Sequence, residues 1–148
     1  IKNKKPFQLT DKRMTRFNLT LKQATDMVIW SITNSFGAEI FIPKLPSFKI
    51  LDLAKVIKPN NKIIISGIKK GEKLHEEMIT SSDSTTTYDI GDKYVIILSN
   101  EKKLTDKYKK RFKIFRKVKE DFSYNSKDNT NYLSKKDLKK IIDNFKKK

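Results

Sequence analysis

The amino-acid sequence predicts a small mixed α/β domain, because short strand-like apolar runs alternate with segments of helical periodicity. Residues Lys62–Ser66 and Lys93–Leu98 are rich in β-branched side chains, as strands are. Apolar side chains between Leu21 and Phe36 recur at helical spacing instead. A length of 148 residues suits one domain with a real core.

The first third of the chain begins with a strand pattern at Pro6–Thr10. A polar connection with three cations follows, up to Phe17. Thr20 and Gln23 then form a capping box for a helix through about Asn34. We expect this helix to bury one apolar face, made of Leu21, Ala24, Met27, Val28, Ile32 and Phe36.

The middle of the chain continues the alternation. Glu39–Ile42 predicts a short strand, and two prolines force an extended connection after it. Leu51–Lys58 predicts a largely covered helix, and Lys62–Ser66 the next strand.

A glycine-bracketed basic turn, Gly67–Gly71, follows that strand. We expect it to open directly into a short amphipathic helix ending near Met78, as in many anion-binding loops. The same pattern occurs at ordinary loop-to-helix junctions, so both interpretations stay open at this point.

The last part of the chain is less regular. Thr80–Thr87 predicts a surface loop, and Gly91-Asp92 the turn of a hairpin. The basic run Leu104–Lys119 predicts a strand pair or an irregular arm, whose aromatic residues either pack or stack on bases. Ser134 with Asp137 caps a final helix, Leu138–Phe145.

Composition limits the functional classes. The chain has no cysteine and one histidine, which removes disulfides, thiolate catalysis and cysteine metal ligands, and we predict no metal site. We expect the single histidine, His75, to be a surface or packing residue. No apolar run reaches the length of a membrane span, and no export signal is visible, so we expect a cytoplasmic protein without a membrane partner. The first residue is Ile1, which suggests processing or a piece of a longer chain.

The net charge of +17 allows a second class of function, a basic nucleic-acid-associated module without enzymatic activity. Residues 101–148 carry +11 of this charge and residues 1–100 carry +6. Only four cations are Arg, however, and nucleic-acid readers rely on Arg for bidentate contacts, so nucleic acid is the less favoured partner.

Five blocks of sequence stand out in order along the chain: Arg13-Met14-Thr15-Arg16-Phe17, Leu21-Lys22-Gln23-Ala24, the segment Gly37–Ser47, Gly71-Glu72-Lys73-Leu74-His75-Glu76, and Phe122-Ser123-Tyr124-Asn125-Ser126 near the end. They resemble the carboxyl-terminal part of the UDP-N-acetylglucosamine 4,6-dehydratases, which belong to the extended short-chain dehydrogenases and serve polysaccharide biosynthesis. The resemblance extends over nearly the whole chain, and several blocks in the same order are more specific than any one of them.

The resemblance implies a small mixed α/β substrate-binding subdomain of an extended short-chain dehydrogenase, with the Rossmann core absent or truncated. It divides the chain into a substrate-binding subdomain, residues 1–100, and a basic extension with a terminal helix, residues 101–148. The implied reaction oxidises the hexose at C4, eliminates water across C5 and C6 and returns hydride to C6, with inversion at C5 left open. No cofactor is expected on this chain; NADP and the catalytic residues are expected in the missing Rossmann half.

The resemblance also implies the site. Arg16 and Lys69 would meet the diphosphate of UDP-N-acetylglucosamine or a related UDP-sugar, Glu72 would hold the loop, and Arg13 belongs to the same substrate-binding set. No catalytic residue is assigned. The family has Arg-Pro where this chain has Lys69-Lys70, and Lys cannot form the bidentate fork of Arg. The other expected partners are the missing half and a further copy in a homo-oligomer.

Overall fold

The fold is described from a computed structural model that covers residues 5–99 and 102–146. It contains short strands, four α-helices and one 3-10 helix among these residues. In chain order they are β1 (Phe7–Leu9), β2 (Thr15–Phe17), α1 (Leu21–Asn34), β3 (Glu39–Pro43), β4 (Ser47–Lys49), α2 (Ile50–Ile57), β5 (Ile63–Ile65), β6 (Glu77–Ile79), the 3-10 helix (Ser81–Thr86), β7 (Thr87–Asp89), β8 (Lys93–Ile97), α3 (Lys102–Arg111), β9 (Arg116–Lys117), β10 (Tyr124–Asn125) and α4 (Lys135–Lys146). The predicted small mixed α/β fold is confirmed.

The chain divides into two compact units, each made of segments that are distant in sequence. Unit 1 comprises Ile1–Asn18, Pro46–Glu76 and Asn125–Lys148, and unit 2 comprises Leu19–Leu45 and Glu77–Tyr124. The boundary predicted at residue 100 lies outside the described residues. The division of roles between residues 1–100 and 101–148 stays a prediction.

Unit 1 is built on two strand pairs. β1 pairs in parallel with β5, with Phe7 opposite Ile63. Two parallel strands need a long connection between them, and the connection from β1 to β5 includes α2. β2 pairs antiparallel with β4, with Arg16 opposite Phe48, and α2 contacts α4.

Unit 2 contains a four-stranded sheet in the order β3-β8-β7-β9 with antiparallel neighbours. The predicted hairpin is confirmed as β7 and β8, and its turn needs Gly91 because the backbone there has a φ of +102°. The buried core combines hairpin residues with α3, namely Ile90, Val95, Ile97, Leu104 and Tyr108.

Two helix predictions are confirmed at their caps. The Thr20 side chain accepts from the Gln23 backbone N–H, and the Gln23 side chain accepts from Thr20 N–H, which starts α1. Ser134 and Asp137 exchange the same two bonds at the start of α4. Capping boxes satisfy backbone donors locally, so they are visible in sequence.

The helix predicted after the glycine turn is wrong. Residues 67–76 form an irregular loop with a turn at Lys70-Gly71, and β6 starts at Glu77. A helix ending near Met78 would need the Leu74 carbonyl for the Met78 N–H. Here Thr15 N–H donates to Leu74 O (3.2 Å), and Ser126 N–H donates to Glu76 O (2.7 Å).

Two further segments are more helical than predicted. The basic run contains α3 rather than a strand pair or an irregular arm, because Leu104 and Tyr108, four residues apart, are both buried. Within the predicted surface loop, Ser81–Thr86 form a 3-10 helix whose Ser84 is buried. Among the described residues, no helix has the length and apolarity needed to cross a bilayer.

The prediction that α1 buries one apolar face is also wrong, because no residue of this helix is fully buried. The helix packs through a different side. Trp30 lies against Phe41, with ring centroids 5.0 Å apart, and against Phe112, at 5.9 Å. Several of the predicted core residues face solvent instead, including Leu21, Val28 and Ile32.

Candidate functional site

The loop of residues 67–76, in unit 1, contains two of the four predicted site residues. Gly67 and Gly71 adopt φ values of +83° and +80°, which glycine accommodates without strain. The Glu72 carboxylate accepts from the Lys69 backbone N–H (3.3 Å) and from the Thr10 hydroxyl (3.0 Å). Glu72 therefore stabilises the turn by bonding to Lys69 within it, and it also connects the turn to Thr10, which follows β1.

Arg16 holds the far end of the same loop. Its guanidinium donates to the carbonyl oxygens of Thr15 (2.7 Å), Leu74 (3.2 Å) and Lys73 (3.0 Å), and its Nε lies 3.2 Å from a Glu76 carboxylate oxygen. The side chain is 22% exposed. A guanidinium has five N–H donors in a planar fork, so Arg16 can bond to three carbonyls and a carboxylate at once, whereas the ammonium group of a lysine has only three donors.

Lys69, Lys70 and Lys73 give the loop its charge. All three are exposed, and none forms an ion pair within the described part of the chain. The loop thus has a fixed backbone and solvated ammonium groups, an arrangement that can meet an anion without first breaking ion pairs.

Arg13 is placed differently from Arg16. Its Nε and Nη2 donate to the two carboxylate oxygens of Asp11, at 3.0 and 2.8 Å, and its side chain is 71% exposed. Hydrogen bonds from the Arg13 side chain and backbone lower the pKa of Asp11 to about 2. The pair stays ionised at neutral pH, so Arg13 is held by a fully charged partner.

A chain of hydroxyl groups lies behind the loop, in the interior of unit 1. Glu76 N–H donates to Ser126 Oγ (2.9 Å), Ser126 Oγ lies 2.7 Å from Thr15 Oγ1, and Thr15 Oγ1 lies 2.8 Å from His75 Nδ1. Thr15 and Ser126 are buried. When the Thr15 hydroxyl donates to Nδ1, His75 is neutral with its proton on Nε2.

The surroundings of His75 favour that neutral form. Burial lowers its pKa, and the nearby cations Lys127, Arg13 and Arg16 lower it further, while Asp128 acts in the opposite direction. The expectation of a surface or packing residue missed this network. Sequence reasoning does not find its hydroxyl groups either, because nothing in the local sequence links positions so far apart.

A basic cavity of about 880 Å³ opens beside this network, entirely within unit 1. Its wall combines four cations, one carboxylate, three polar side chains and three leucines: Lys12, Arg13, Lys49, Lys127, Asp52, Thr15, His75, Tyr132, Leu51, Leu74 and Leu133. Of the predicted site residues, Arg13 lines the cavity, whereas Arg16, Lys69 and Glu72 do not. Lys69 and Glu72 belong to the loop and Arg16 bonds to it, whereas Arg13 belongs to the cavity wall.

The comparisons with known proteins agree with the motifs. A profile of the family described as "Polysaccharide biosynthesis protein" matches residues 1–98. A UDP-N-acetylglucosamine 4,6-dehydratase (inverting) of Campylobacter jejuni is 44% identical over 144 residues, which span 93% of this chain and 42% of that protein. A UDP-glucose 4-epimerase of Rickettsia canadensis is 33% identical over 100 residues, or 65% of this chain and 29% of that protein.

A solved structure shares the fold. The X-ray structure of Pen from Bacillus thuringiensis superposes with a TM-score of 0.79 at 29% sequence identity, covering 98% of this chain and 43% of that one. The chain therefore belongs to the polysaccharide biosynthesis protein family, and its resemblance to the UDP-N-acetylglucosamine 4,6-dehydratases is confirmed. It spans less than half the length of these relatives.

Proposed function

We propose that this chain is the UDP-sugar-binding portion of a UDP-N-acetylglucosamine 4,6-dehydratase in surface polysaccharide or glycan biosynthesis. The observation that carries the proposal is the 44% identity to the Campylobacter jejuni dehydratase, because it extends over 93% of the chain rather than over one motif. The proposal does not specify whether the configuration at C5 of the sugar is inverted or retained, because that outcome depends on the catalytic residues.

The loop geometry supports a role in holding a diphosphate. Lys69 is exposed and has no ion-pair partner among the described residues, so its ammonium group is available to a phosphate oxygen. Arg16 and Glu72 fix the loop on either side of it, and Arg16 adds positive charge beneath the loop. Arg13 takes part from the wall of the basic cavity. A preformed loop loses less conformational entropy on binding than a mobile one.

The described residues do not fit NADP. Dinucleotide binding in Rossmann folds uses a glycine-rich turn between a strand and the start of a helix. Gly67 and Gly71 do follow β5, but the next element is β6 rather than a helix. The proposal therefore assigns NADP and the catalytic residues to a portion of the enzyme outside this chain.

The test uses a chimaera in which this chain replaces the aligned segment of the Campylobacter jejuni dehydratase. Titration calorimetry with UDP should give saturable binding, and Lys69→Ala should weaken it about tenfold, the equivalent of about 1.4 kcal/mol. Arg16→Ala should weaken binding and also lower the melting temperature, because it releases the loop.

Lys55→Ala is the matched control, since Lys55 is an exposed lysine of unit 1 on α2. It should leave UDP affinity unchanged. A folded chimaera that does not bind UDP contradicts the proposal, and so does an equal effect of Lys69→Ala and Lys55→Ala.

The proposal also includes the oligomeric state and the location. We expect the whole protein to be a homo-oligomer in the cytoplasm. No comparison supports the nucleic-acid alternative, and no geometric feature of the described residues favours it over the sugar-nucleotide function.

A further inference from the structure

Helix α1 exposes an aliphatic surface on the side opposite Trp30. We call it the α1 stripe, and it consists of Leu21, Thr25, Val28, Ile29 and Ile32. The four large side chains are 84%, 59%, 58% and 74% exposed, respectively. Leu21, Thr25, Val28 and Ile32 follow the spacing of one helix face, and no charged residue interrupts them. In a chain with 34% charged residues, such an uncharged surface is unusual.

The stripe is separate from the side of α1 that already packs. Trp30 points to the sheet and to α3, where it lies against Phe41 and Phe112. Lys22, Asp26 and Thr33 form a polar sector between the two sides, and Lys22 pairs with Asp26 at 2.6 Å. A helix that is apolar on two sides is typical of one covered on both.

The apolar surface continues from the helix onto the sheet. Ile32 and Ile40 line the same shallow groove, and Ile40 of β3 is 48% exposed. β3 is the end strand of its sheet, and no strand among the described residues pairs with its outer edge. Exposed edges and apolar patches are normally covered in soluble proteins.

We propose that the α1 stripe and the neighbouring β3 edge are the docking surface for the portion of the dehydratase that lies outside this chain. The inference rests on the proposed function, under which this chain is one part of a longer enzyme. The aligned relatives are more than twice as long, since the match spans 42% of the Campylobacter jejuni protein. The occupant is an aliphatic, uncharged face of that portion.

Charge argues against a second copy as the occupant. Each copy carries a net charge of +17, so two copies repel each other at low ionic strength. The stripe offers no carboxylate to offset that repulsion, and the groove between the stripe and β3 contains a single one, Glu39. A partner with a lower positive charge meets less electrostatic repulsion at this surface.

Cysteine labelling tests the surface directly, because the chain contains no cysteine of its own. Ile32→Cys and, as a matched control, Thr33→Cys are prepared in the isolated chain and in the chimaera with the Campylobacter jejuni remainder. Thr33 is the neighbouring exposed residue, but it lies in the polar sector. Maleimide labelling of each position is followed by mass spectrometry of its peptide.

The expected result is that both positions label at similar rates in the isolated chain, while position 32 alone becomes at least about tenfold slower in the chimaera. Equal labelling of position 32 in both contexts overturns the inference. Protection that appears in the isolated chain as its concentration rises also overturns it, in favour of self-association. UDP binding of the same chimaera is measured separately, so failure of the proposed function and failure of the docking surface give different results.

Discussion

His75 shows how one side chain is defined by residues far away in sequence. Its Nδ1 lies 2.8 Å from the Thr15 hydroxyl, which contacts Ser126 in turn. Burial and neighbouring cations together lower its pKa. The sequence offers only a lone histidine near two glutamates, and that pattern suggested a surface or packing residue.

The lowered pKa of His75 predicts that stability falls in mild acid. The ordinary pKa is 6.5, and the folded value lies below it, so the unfolded chain takes up the proton first. The contribution to the free energy of unfolding is complete above pH 6.5 and is lost as the pH falls through the lower folded pKa. Urea unfolding at several values between about pH 7.5 and about pH 5 measures this loss.

His75→Gln should flatten that dependence, because this is the single histidine of the chain. The Asp11 carboxyl, with a pKa of about 2, does not titrate in this range. An unchanged slope in His75→Gln would assign the pH dependence to other groups.

At the scale of elements, α3 is the clearest difference between the sequence pattern and the fold. The run from Lys102 to Arg111 contains six cations, and the basic pattern suggested a strand pair or an irregular arm rather than a helix. Leu104 and Tyr108 nevertheless turn the same side of the helix toward the core of unit 2. Tyr108 stacks on Phe112 and meets Phe36 edge-on, with ring centroids 6.0 and 5.0 Å apart.

Tyr108→Ala should therefore lower the free energy of unfolding by about 3–5 kcal/mol, as expected for truncation of a fully buried aromatic residue. Its backbone neighbour Lys109 is exposed, so Lys109→Ala should change the stability by less than about 0.5 kcal/mol. Denaturant unfolding measures both variants. Similar small losses for the two would mean that α3 is not part of the core.

The helix α1 illustrates a second limit at this scale. Its start is specified locally by Thr20 and Gln23. Helical periodicity then identifies apolar residues but does not say which of them pack within the same unit. Trp30, which the one-face pattern did not include, is the residue that meets the sheet.

At the scale of the whole molecule, excess positive charge opposes the folded state. The net charge is +17, whereas the ion pairs among the described residues number six, and all of them remain accessible to solvent. Exposed pairs contribute little individually. Self-repulsion is therefore the larger electrostatic effect.

We expect the melting temperature to rise by a few degrees between about 10 mM and about 0.15 M sodium chloride, because the screening length shrinks from about 30 to about 8 Å. Scanning calorimetry of the chain measures the shift. Potassium chloride should give the same shift at equal ionic strength, since screening does not depend on the identity of the ion. A fall in melting temperature with salt would show that the ion pairs outweigh the repulsion.

The sequence by itself determined the features that depend on near neighbours: the caps of α1 and α4, the hairpin around Gly91, and the ordered motifs that identify the family. Only the tertiary structure decided the form of the 67–76 loop, the network around His75 and the exposed side of α1. Their hydrogen-bond and packing partners come from distant segments. The Leu74 carbonyl accepts from Thr15 N–H rather than from the Met78 N–H of a local helix, and no local pattern encodes that competition.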